Sequence, residues 1–167
     1  AAKAGVWGSY NDFYKPNVVG TENILKACKA HQISKLIYTS PPSVIHAGGD
    51  VEGINEAEPY PDHFETHYPA TKAMAEKMVL EANGPSLQTV ALRPHLIWGP
   101  EDNHLVPRIV DRAKRGKLKL VGGGLKLIDS VYIDNAAEAH ILAGDKLSPE
   151  ASCAGKAYFL TQDAPIP

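Results

Sequence analysis

The sequence predicts an α/β domain built on a parallel β-sheet, and two patterns in the chain lead to this prediction. Short apolar runs have the length and composition of buried strands, at residues 35–40, 87–92 and 157–161. Segments with helical periodicity separate them, at residues 17–31, 68–82 and 136–143. This alternation favours parallel pairing, because a parallel connection needs a crossover that a helix can supply.

The first predicted helix begins at Asn17, a residue type favoured at N-caps, and ends near His31. An apolar stripe supports it, formed by Val18, Val19, Ile24, Leu25 and Cys28. Residues 1–16 carry aromatic side chains but no regular period, so we expect irregular structure there. The strand at residues 35–40 must stop at Pro41, because proline cannot donate to a sheet ladder.

A long loop at residues 46–67 leads to the second predicted helix, at residues 68–82. Loops of this length in compact domains are often functional. Pro69 suits the first turn of the helix, and the run Asn83-Gly84-Pro85 ends it.

The remainder of the chain predicts shorter elements. In order, these are a helix at residues 103–116, a strand at 117–121, a glycine turn at 122–124, a strand at 128–133, a helix capped by Asp134, and the last strand.

Composition excludes several classes of function. The 167 residues are 44% hydrophobic and 22% charged, as in an ordinary globular domain. A formal net charge of −2 gives no reason to expect a nucleic-acid or anionic membrane partner, and no apolar run has the length of a membrane span. Cys28 and Cys153 match no metal-ligand spacing, so we expect reduced thiols in a cytoplasmic protein.

Tyr68 and Lys72 form the most informative pair of residues in the chain. Their spacing of four places both side chains on one face of the predicted helix. A nearby ammonium favours the phenolate form of tyrosine and lowers its pKa from about 10. A tyrosine tuned in this way can exchange a proton with a hydroxyl or carbonyl oxygen. The pattern alone is weak, since an exposed helix start also contains such pairs.

Other polar residues are expected beside this pair. Ligands of open parallel sheets bind at the carboxyl ends of the strands. Thr39-Ser40 ends one predicted strand and Arg93-Pro94-His95 follows the next, while the helix of Tyr68 connects the two strands. The sequence therefore predicts one site formed by these three segments.

Five segments occur in the order of a known enzyme family. They are Asn17–Asn23, Tyr38–Ser40, Tyr68–Lys72, Leu92–Pro94 with Trp98–Pro100, and Val131–Asn135. Together they resemble motifs of the extended short-chain dehydrogenase/reductase family, which includes the NAD-dependent epimerases and dehydratases. The segment at residues 128–135 and the Tyr-Thr-Ser run look most like the 3β-hydroxysteroid dehydrogenase branch.

This resemblance implies a Rossmann-like, doubly wound parallel sheet and a fold divided in two parts. Residues 1–100 would be the catalytic half of a dinucleotide-binding domain. Residues 101–167 would begin a small substrate-binding region, interleaved with the last Rossmann elements. The implied activity interconverts a secondary alcohol and a ketone on an apolar 3-hydroxy or 3-keto substrate, with NAD or NADP as cofactor. A homodimer is implied as well.

The resemblance also assigns roles to individual residues. Tyr68 would exchange the proton, and Lys72 would bind the nicotinamide ribose and lower the pKa of Tyr68. Asn17 would support the proton path. The segment Pro94-His95-Leu96 would contact the nicotinamide, with the backbone amides of His95 and Leu96 meeting the carboxamide.

Two departures from the family pattern stand out. The glycine-rich phosphate loop is absent from this sequence, which begins where the family's fourth strand would end. Pro41 occupies the position of the catalytic serine or threonine. Ser43 shares the face of Pro41 in extended backbone and is one candidate to replace it, while Ser40 points the other way. The alternative is a weakened or altered catalyst.

Other readings stay open. A nucleotide-sugar epimerase or dehydratase would use Arg108 and Arg112 to meet a diphosphate, and a non-catalytic family member would explain Pro41. His63 and His67 have a spacing that binds zinc on a helix, but their loop setting argues against a metal site. We expect Trp98 to belong to the core.

Overall fold

The computed structural model describes residues 2–5, 7–102, 105–119 and 121–167. Its strands form two parallel sheets. The larger has the strand order β1-β2-β5, with β1 at Lys35–Thr39, β2 at Gln88–Pro94 and β5 at Lys156–Leu160. In the smaller sheet β3 (Leu96–Trp98) pairs with β4 (Ser130–Tyr132). The predicted α/β class with parallel strands is thereby confirmed.

The helices connect these strands. They are α1 (Tyr10–Tyr14), a π-helical turn (Lys15–Val19), α2 (Gly20–Ala30), a 3₁₀ turn (Pro42–Ile45), α3 (His67–Glu81), α4 (Val106–Lys114), a second 3₁₀ turn (Val121–Gly124) and α5 (Ile133–Lys146). Among the residues that the structure describes, no helix combines the length and the apolar character needed to cross a bilayer.

Helices cover both faces of the larger sheet. Successive side chains of a strand point to opposite faces. Ile37 of β1 packs with Val90, Leu92 and Leu147 on the face covered by α5. On the other face Arg93 of β2 meets α3. A second buried cluster joins α3 to the first 3₁₀ turn through Val44, Ile45 and Ala73. The carboxyl ends of β1 and β2 therefore lie beside the start of α3.

The first helix begins earlier than predicted. Its first turn starts at Tyr10, and the chain stays helical through the π turn to Ala30. The backbone amide of Ser9 donates to the carboxylate of Asp12 at 2.8 Å, which stabilises the new start. Buried Phe13 anchors it in the core. The prediction of Asn17 as N-cap was wrong, because this side chain is needed inside the fold.

Several boundaries in the C-terminal third differ from prediction. No strand forms at residues 117–119, and Leu120 lies outside the described residues. Helix α4 is shorter than the predicted 103–116, of which residues 103 and 104 are also not described. Tyr132 caps α5 in place of Asp134. The three residues of β3 were not predicted, and Trp98 among them is 41% exposed, so its assignment to the core was wrong.

Candidate active site

A cavity of about 400 Å³ lies at the carboxyl ends of β1 and β2. Three segments line it: residues 39–42 at the end of β1, Tyr68 of α3, and residues 94–97 at the end of β2. Of the predicted segment Arg93-Pro94-His95, Arg93 is not a lining residue. The parallel register explains the meeting, because Thr39 is paired with Leu92 and both strands end at the same edge.

Tyr68 lies in the first turn of α3, where the helix starts beside the cavity. Lys72, one turn later, is buried, with 5% of its surface exposed. Its Nζ donates to the carbonyl oxygen of Thr39 at 2.7 Å and lies 4.1 Å from the centroid of the Tyr38 ring. Burial lowers the pKa of Lys72 to about 8.

The expected lowering of the Tyr68 pKa by Lys72 is not observed in this structure. Burial raises the pKa of Tyr68 instead, since the phenolate would lose its solvation. The ammonium of Lys72 is directed to the carbonyl of Thr39 and the ring of Tyr38. Tyr68 is therefore held as a neutral, protonated phenol at neutral pH.

Asn17 lies within the π-helical turn, and 1% of it is exposed. Its Nδ2 donates to Thr71 Oγ1 at 3.0 Å and to the carbonyl oxygen of Lys3 at 3.1 Å. Its Oδ1 accepts from the backbone amide of Lys3 at 2.8 Å. Asn17 thus joins the N-terminal segment to α3, between Tyr68 and Lys72. Turns of π-helix occur frequently at functional sites.

Ser40 and Ser43, the two serines that follow β1, differ in their relation to the cavity. Pro41 and Pro42 line the cavity, while Ser43 lies in the following 3₁₀ turn and is not one of the lining residues. Ser40 is among the lining residues. Its hydroxyl is buried, with 2% of the residue exposed, and meets no hydrogen-bond partner among the described residues.

The segment after β2 supplies the opposite wall of the cavity. The backbone amide of His95 donates to the carbonyl oxygen of Leu160 at 2.9 Å, so it is already engaged in holding this segment to β5. In this structure the amide of His95 is thus not free for the predicted contact to a carboxamide. Burial lowers the pKa of His95, whose ring lies 5.3 Å from that of Phe159.

Apolar side chains continue from this wall to the surface. Leu96, Ile97 and Trp98 are each about two-fifths exposed, at 42%, 39% and 41%. Exposed apolar residues that are contiguous with a cavity mark a binding surface rather than a core. The arrangement suits an apolar ligand.

A buried ion pair that the sequence did not predict joins α3 to β2 beside the site. Glu76 accepts from Arg93 Nη2 at 2.6 Å, and both side chains are almost fully buried. The hydroxyl of Tyr60, from the long loop, donates to the same carboxylate at 2.6 Å. Glu76 follows Lys72 by four residues, as Lys72 follows Tyr68. This repeated spacing was the signal in the sequence that could have revealed it.

Three other residues that the sequence singled out, His67, Arg108 and Arg112, do not line the cavity. The ring of His67 packs edge-on against Tyr10, with centroids 5.5 Å apart. No group of three or more His, Cys, Asp or Glu side chains is placed to hold a metal ion within the described parts of the chain. Arg108 and Arg112 lie on α4, whose residues are all exposed.

Comparison with known proteins agrees with this geometry. The 2-alkyl-3-oxoalkanoate reductase of Stenotrophomonas maltophilia (strain K279a) is 56% identical over 168 residues, which cover 99% of this chain and 51% of that protein. The decarboxylating sterol-4-alpha-carboxylate 3-dehydrogenase of Homo sapiens is 42% identical over 158 residues, 93% of this chain and 42% of that protein. The chain thus spans about half the length of these relatives.

Solved structures share the fold. UDP-glucose 4-epimerase of Thermus thermophilus, in complex with NAD, has a TM-score of 0.77 and 26% identity, covering 99% of this chain and 55% of that one. UDP-glucuronic acid 4-epimerase of Bacillus cereus, also with NAD, has a TM-score of 0.82 at 22% identity, over 99% and 53% of the two chains. The latter identity shows the Rossmann-type fold alone.

The family profile described as "3-beta hydroxysteroid dehydrogenase/isomerase family" matches residues 1–167, the whole of the sequence. The order of the motifs in this chain, the position of Tyr68 at the cavity with Lys72 bonded to the end of β1, and the high identity to the reductases all agree with this match. The chain belongs to the 3-beta hydroxysteroid dehydrogenase/isomerase family.

Proposed function

We propose that the protein is an NAD(P)-dependent oxidoreductase that interconverts a ketone and a secondary alcohol on an apolar 3-keto or 3-hydroxy substrate. The observation that carries the proposal is the position of Tyr68, at a cavity that opens onto the apolar residues of β3. The similarity to 2-alkyl-3-oxoalkanoate reductases favours 3-oxo acids with an alkyl branch over sterols.

The residues present fit the nicotinamide end of such a cofactor. A cavity of about 400 Å³ with Tyr68 in its wall admits a nicotinamide ring. Tyr68, Lys72, Pro94 and Leu96 would hold the nicotinamide and its ribose. When bound, the cofactor supplies or takes the hydride.

The proton step belongs to Tyr68. Because its raised pKa keeps the phenol protonated, Tyr68 is suited to donate its proton to the oxygen of a ketone as that oxygen gains negative charge. Lys72 is anchored by Thr39, and its charge would stabilise the phenolate that remains. Asn17 would support the path by which the proton is replaced, and it keeps α3 in place through Thr71.

We further propose how the chain is divided into domains, that it forms a homodimer, and that it is cytoplasmic. Residues 1–100 would form the catalytic half of the dinucleotide-binding domain, and residues 101–167 the start of the substrate region. A homodimer through α2 and α3 would cover Ile24 and Met74, which are 52% and 41% exposed. Free thiols at both cysteines accord with a cytoplasmic protein. Sedimentation velocity on the protein tests the dimer, and a single monomeric species would contradict it.

A nucleotide-sugar epimerase or dehydratase is the second candidate. Basic residues on exposed α4, among them Arg108 and Arg112, favour it because arginine binds phosphate well. The apolar surface next to the cavity argues against a nucleotide-sugar enzyme, since a sugar diphosphate would find few polar partners at β3.

One panel of assays separates the candidates. The protein is incubated with NADPH or NADH and a 2-alkyl-3-oxoalkanoate, and cofactor oxidation is followed at its absorbance band. Parallel reactions contain UDP-glucose or dTDP-glucose with NAD, and products are separated by chromatography. We expect cofactor oxidation with the 3-oxo acid only. Conversion of a nucleotide sugar without turnover of the 3-oxo acid would overturn the proposal.

A further inference from the structure

Tyr38 lies on the face of strand β1 that meets helix α3. Successive side chains of a strand alternate between faces, and its neighbour Ile37 packs on the face covered by α5. The Nζ of Lys72 lies 4.1 Å from the centroid of the Tyr38 ring and donates to the carbonyl oxygen of Thr39 at 2.7 Å. Two consecutive residues of β1 therefore hold one ammonium group, the first through its ring and the second through its main chain.

The hydroxyl group of Tyr38 takes no part in this contact. It is buried near the hydroxyl of Thr21, which donates instead to the carbonyl oxygen of Asn17 at 2.7 Å. The Tyr38 hydroxyl consequently has no hydrogen bond within the part of the chain that the structure describes. Burial raises the pKa of Tyr38, so the phenol stays neutral and presents Lys72 with an aromatic face rather than with a charge.

The positive charge of Lys72 is buried, with 5% of the residue exposed. Burial lowers its pKa to about 8, while the negative charge of Glu76, one turn later on α3, acts in the opposite direction. The carboxylate of Glu76 is shared with Arg93, whose Nη2 donates to it at 2.6 Å. Thr39 and Tyr68 offer Lys72 only neutral groups. An aromatic face attracts a cation most strongly where water is excluded, so the ring beside the ammonium offsets part of the cost of burial.

We propose that Tyr38 is a positioning residue that acts through Lys72, because its ring keeps the buried ammonium charged and fixed at the end of β1. The catalytic consequence rests on the proposed function. In the reduction a hydride adds to the carbonyl carbon, the π electron pair moves to the oxygen, and that oxygen takes the proton of Tyr68. The charge of Lys72 then stabilises the phenolate that remains, which a neutral amine cannot do. The ring of Tyr38 thereby extends the pH range of the reaction upward.

The first experiment follows kcat/KM for a 2-alkyl-3-oxoalkanoate from about pH 6 to about pH 10. Tyr38→Leu removes the ring, and the loss of a buried cation–π contact should move the alkaline fall in kcat/KM about one pH unit lower. Its activity relative to the unaltered protein should then be about fivefold lower at about pH 8 than at about pH 6. Tyr38→Phe keeps the ring and removes only the unpartnered hydroxyl, so its profile should match that of the unaltered protein.

Two further variants separate the ring from its bulk. Leu36 lies on the same face of β1, two residues before Tyr38, and is also half-buried. Leu36→Ala should lower the melting temperature and leave the alkaline fall in place. Pentafluorophenylalanine at position 38 keeps an aromatic ring of similar volume but reverses its quadrupole. It should move the fall at least as far as Tyr38→Leu, and it serves as the test if the leucine variant does not fold.

A second readout does not depend on turnover. Urea unfolding of Tyr38→Leu, with and without Lys72→Met, reports the pH at which Lys72 titrates in the folded protein. The difference in free energy of unfolding between these two proteins should begin to change near about pH 7. The same comparison beside the intact ring should begin to change near pH 8, the pKa of Lys72 in this structure.

The outcomes separate this inference from the proposed function. An alkaline fall that stays in place in Tyr38→Leu would overturn the role of Tyr38. So would an equal shift in Tyr38→Phe, which would assign the effect to the hydroxyl, or an equal shift in Leu36→Ala, which would assign it to general destabilisation. An unaltered protein that oxidises no cofactor with 3-oxo acids would refute the proposed function, and the unfolding measurements would then decide by themselves whether Tyr38 holds the charge of Lys72.

Discussion

The ammonium group of Lys72 donates to the main-chain carbonyl of Thr39 at 2.7 Å, which ties helix α3 to the last residue of strand β1. The bond places Tyr68, one turn before Lys72, at the same edge as Ser40, one residue after Thr39. A charged donor on a carbonyl makes one of the stronger hydrogen bonds found in proteins. Lys72 therefore organises the site as well as carrying its charge.

Stability should depend on pH through Lys72. Its pKa is lowered to about 8 in the folded protein, from 10.5. The folded state then binds fewer protons than the unfolded chain between these values, so this residue contributes stability that rises with pH across that window. Below about pH 8 both states are protonated and the cost of burying the charge is fully present.

The variant Lys72→Met should remove this dependence. The quantity to compare is the free energy of unfolding of the variant minus that of the unaltered protein. This difference should be largest at pH 7 and should fall by roughly 3 kcal/mol as the pH rises to 10.5. Urea unfolding at several pH values measures the difference. A difference that stays constant from pH 7 to 10.5 would show that Lys72 does not titrate in this range.

Breaking the buried ion pair should destabilise the fold strongly. Glu76→Gln leaves the guanidinium of Arg93 buried beside a neutral amide, and the expected loss is about 3–5 kcal/mol. The exposed pair of Glu22 and Lys26 offers a matched control, since Glu22→Gln should cost no more than about 0.5 kcal/mol. Equal midpoints of denaturant unfolding for the two variants would show that breaking the buried pair costs no more than breaking the exposed one.

Tyr60 should restrain the long loop. Its hydroxyl joins residues 46–66 to the buried carboxylate of Glu76 at 2.6 Å. Tyr60→Phe loses a hydrogen bond to a charged acceptor, worth about 1.5–3 kcal/mol, so loop amides should exchange with deuterium faster. Tyr10→Phe is the control, because among the described residues its hydroxyl makes only a long contact of 3.7 Å to the sulfur of Met74. Unchanged exchange in the Tyr60 variant would rule out the restraint.

A carboxylate in place of the Asn17 amide should weaken the hydrogen bonds that connect the N-terminal segment to α3. Asn17→Asp replaces a donor that serves Lys3 and Thr71 with an acceptor, and a cost of at least about 1–3 kcal/mol follows from the lost pairing. The loss should shrink at acidic pH, where the new carboxyl is protonated and can donate again. Exposed Asn23→Asp on α2 is the control. A melting temperature unchanged at pH 7 would contradict the role.

The sequence was sufficient for the parts of the site that depend on local patterns. The spacing of Tyr68 and Lys72 is a property of one helix, and the meeting of residues 39–40 with residues 94–95 follows from parallel strands that end together. Both were predicted, and the strand order confirms the second. Neither requires knowledge of which side chains pack together.

Features that depend on distant contacts were not predicted. Asn17 was assigned to a helix start because its type favours caps, yet its partners Lys3 and Thr71 are 14 and 54 residues away in the chain. The direction of the Tyr68 pKa shift depends on burial, which spacing does not reveal.

The most direct test of the central claim is the rate of NAD(P)H oxidation with a 2-alkyl-3-oxoalkanoate, measured for the unaltered protein and for Tyr68→Phe. We expect turnover in the unaltered protein and a fall in kcat of about 10²–10⁴ in the variant, with its melting temperature maintained. Equal rates in the two proteins would show that Tyr68 is not the proton donor.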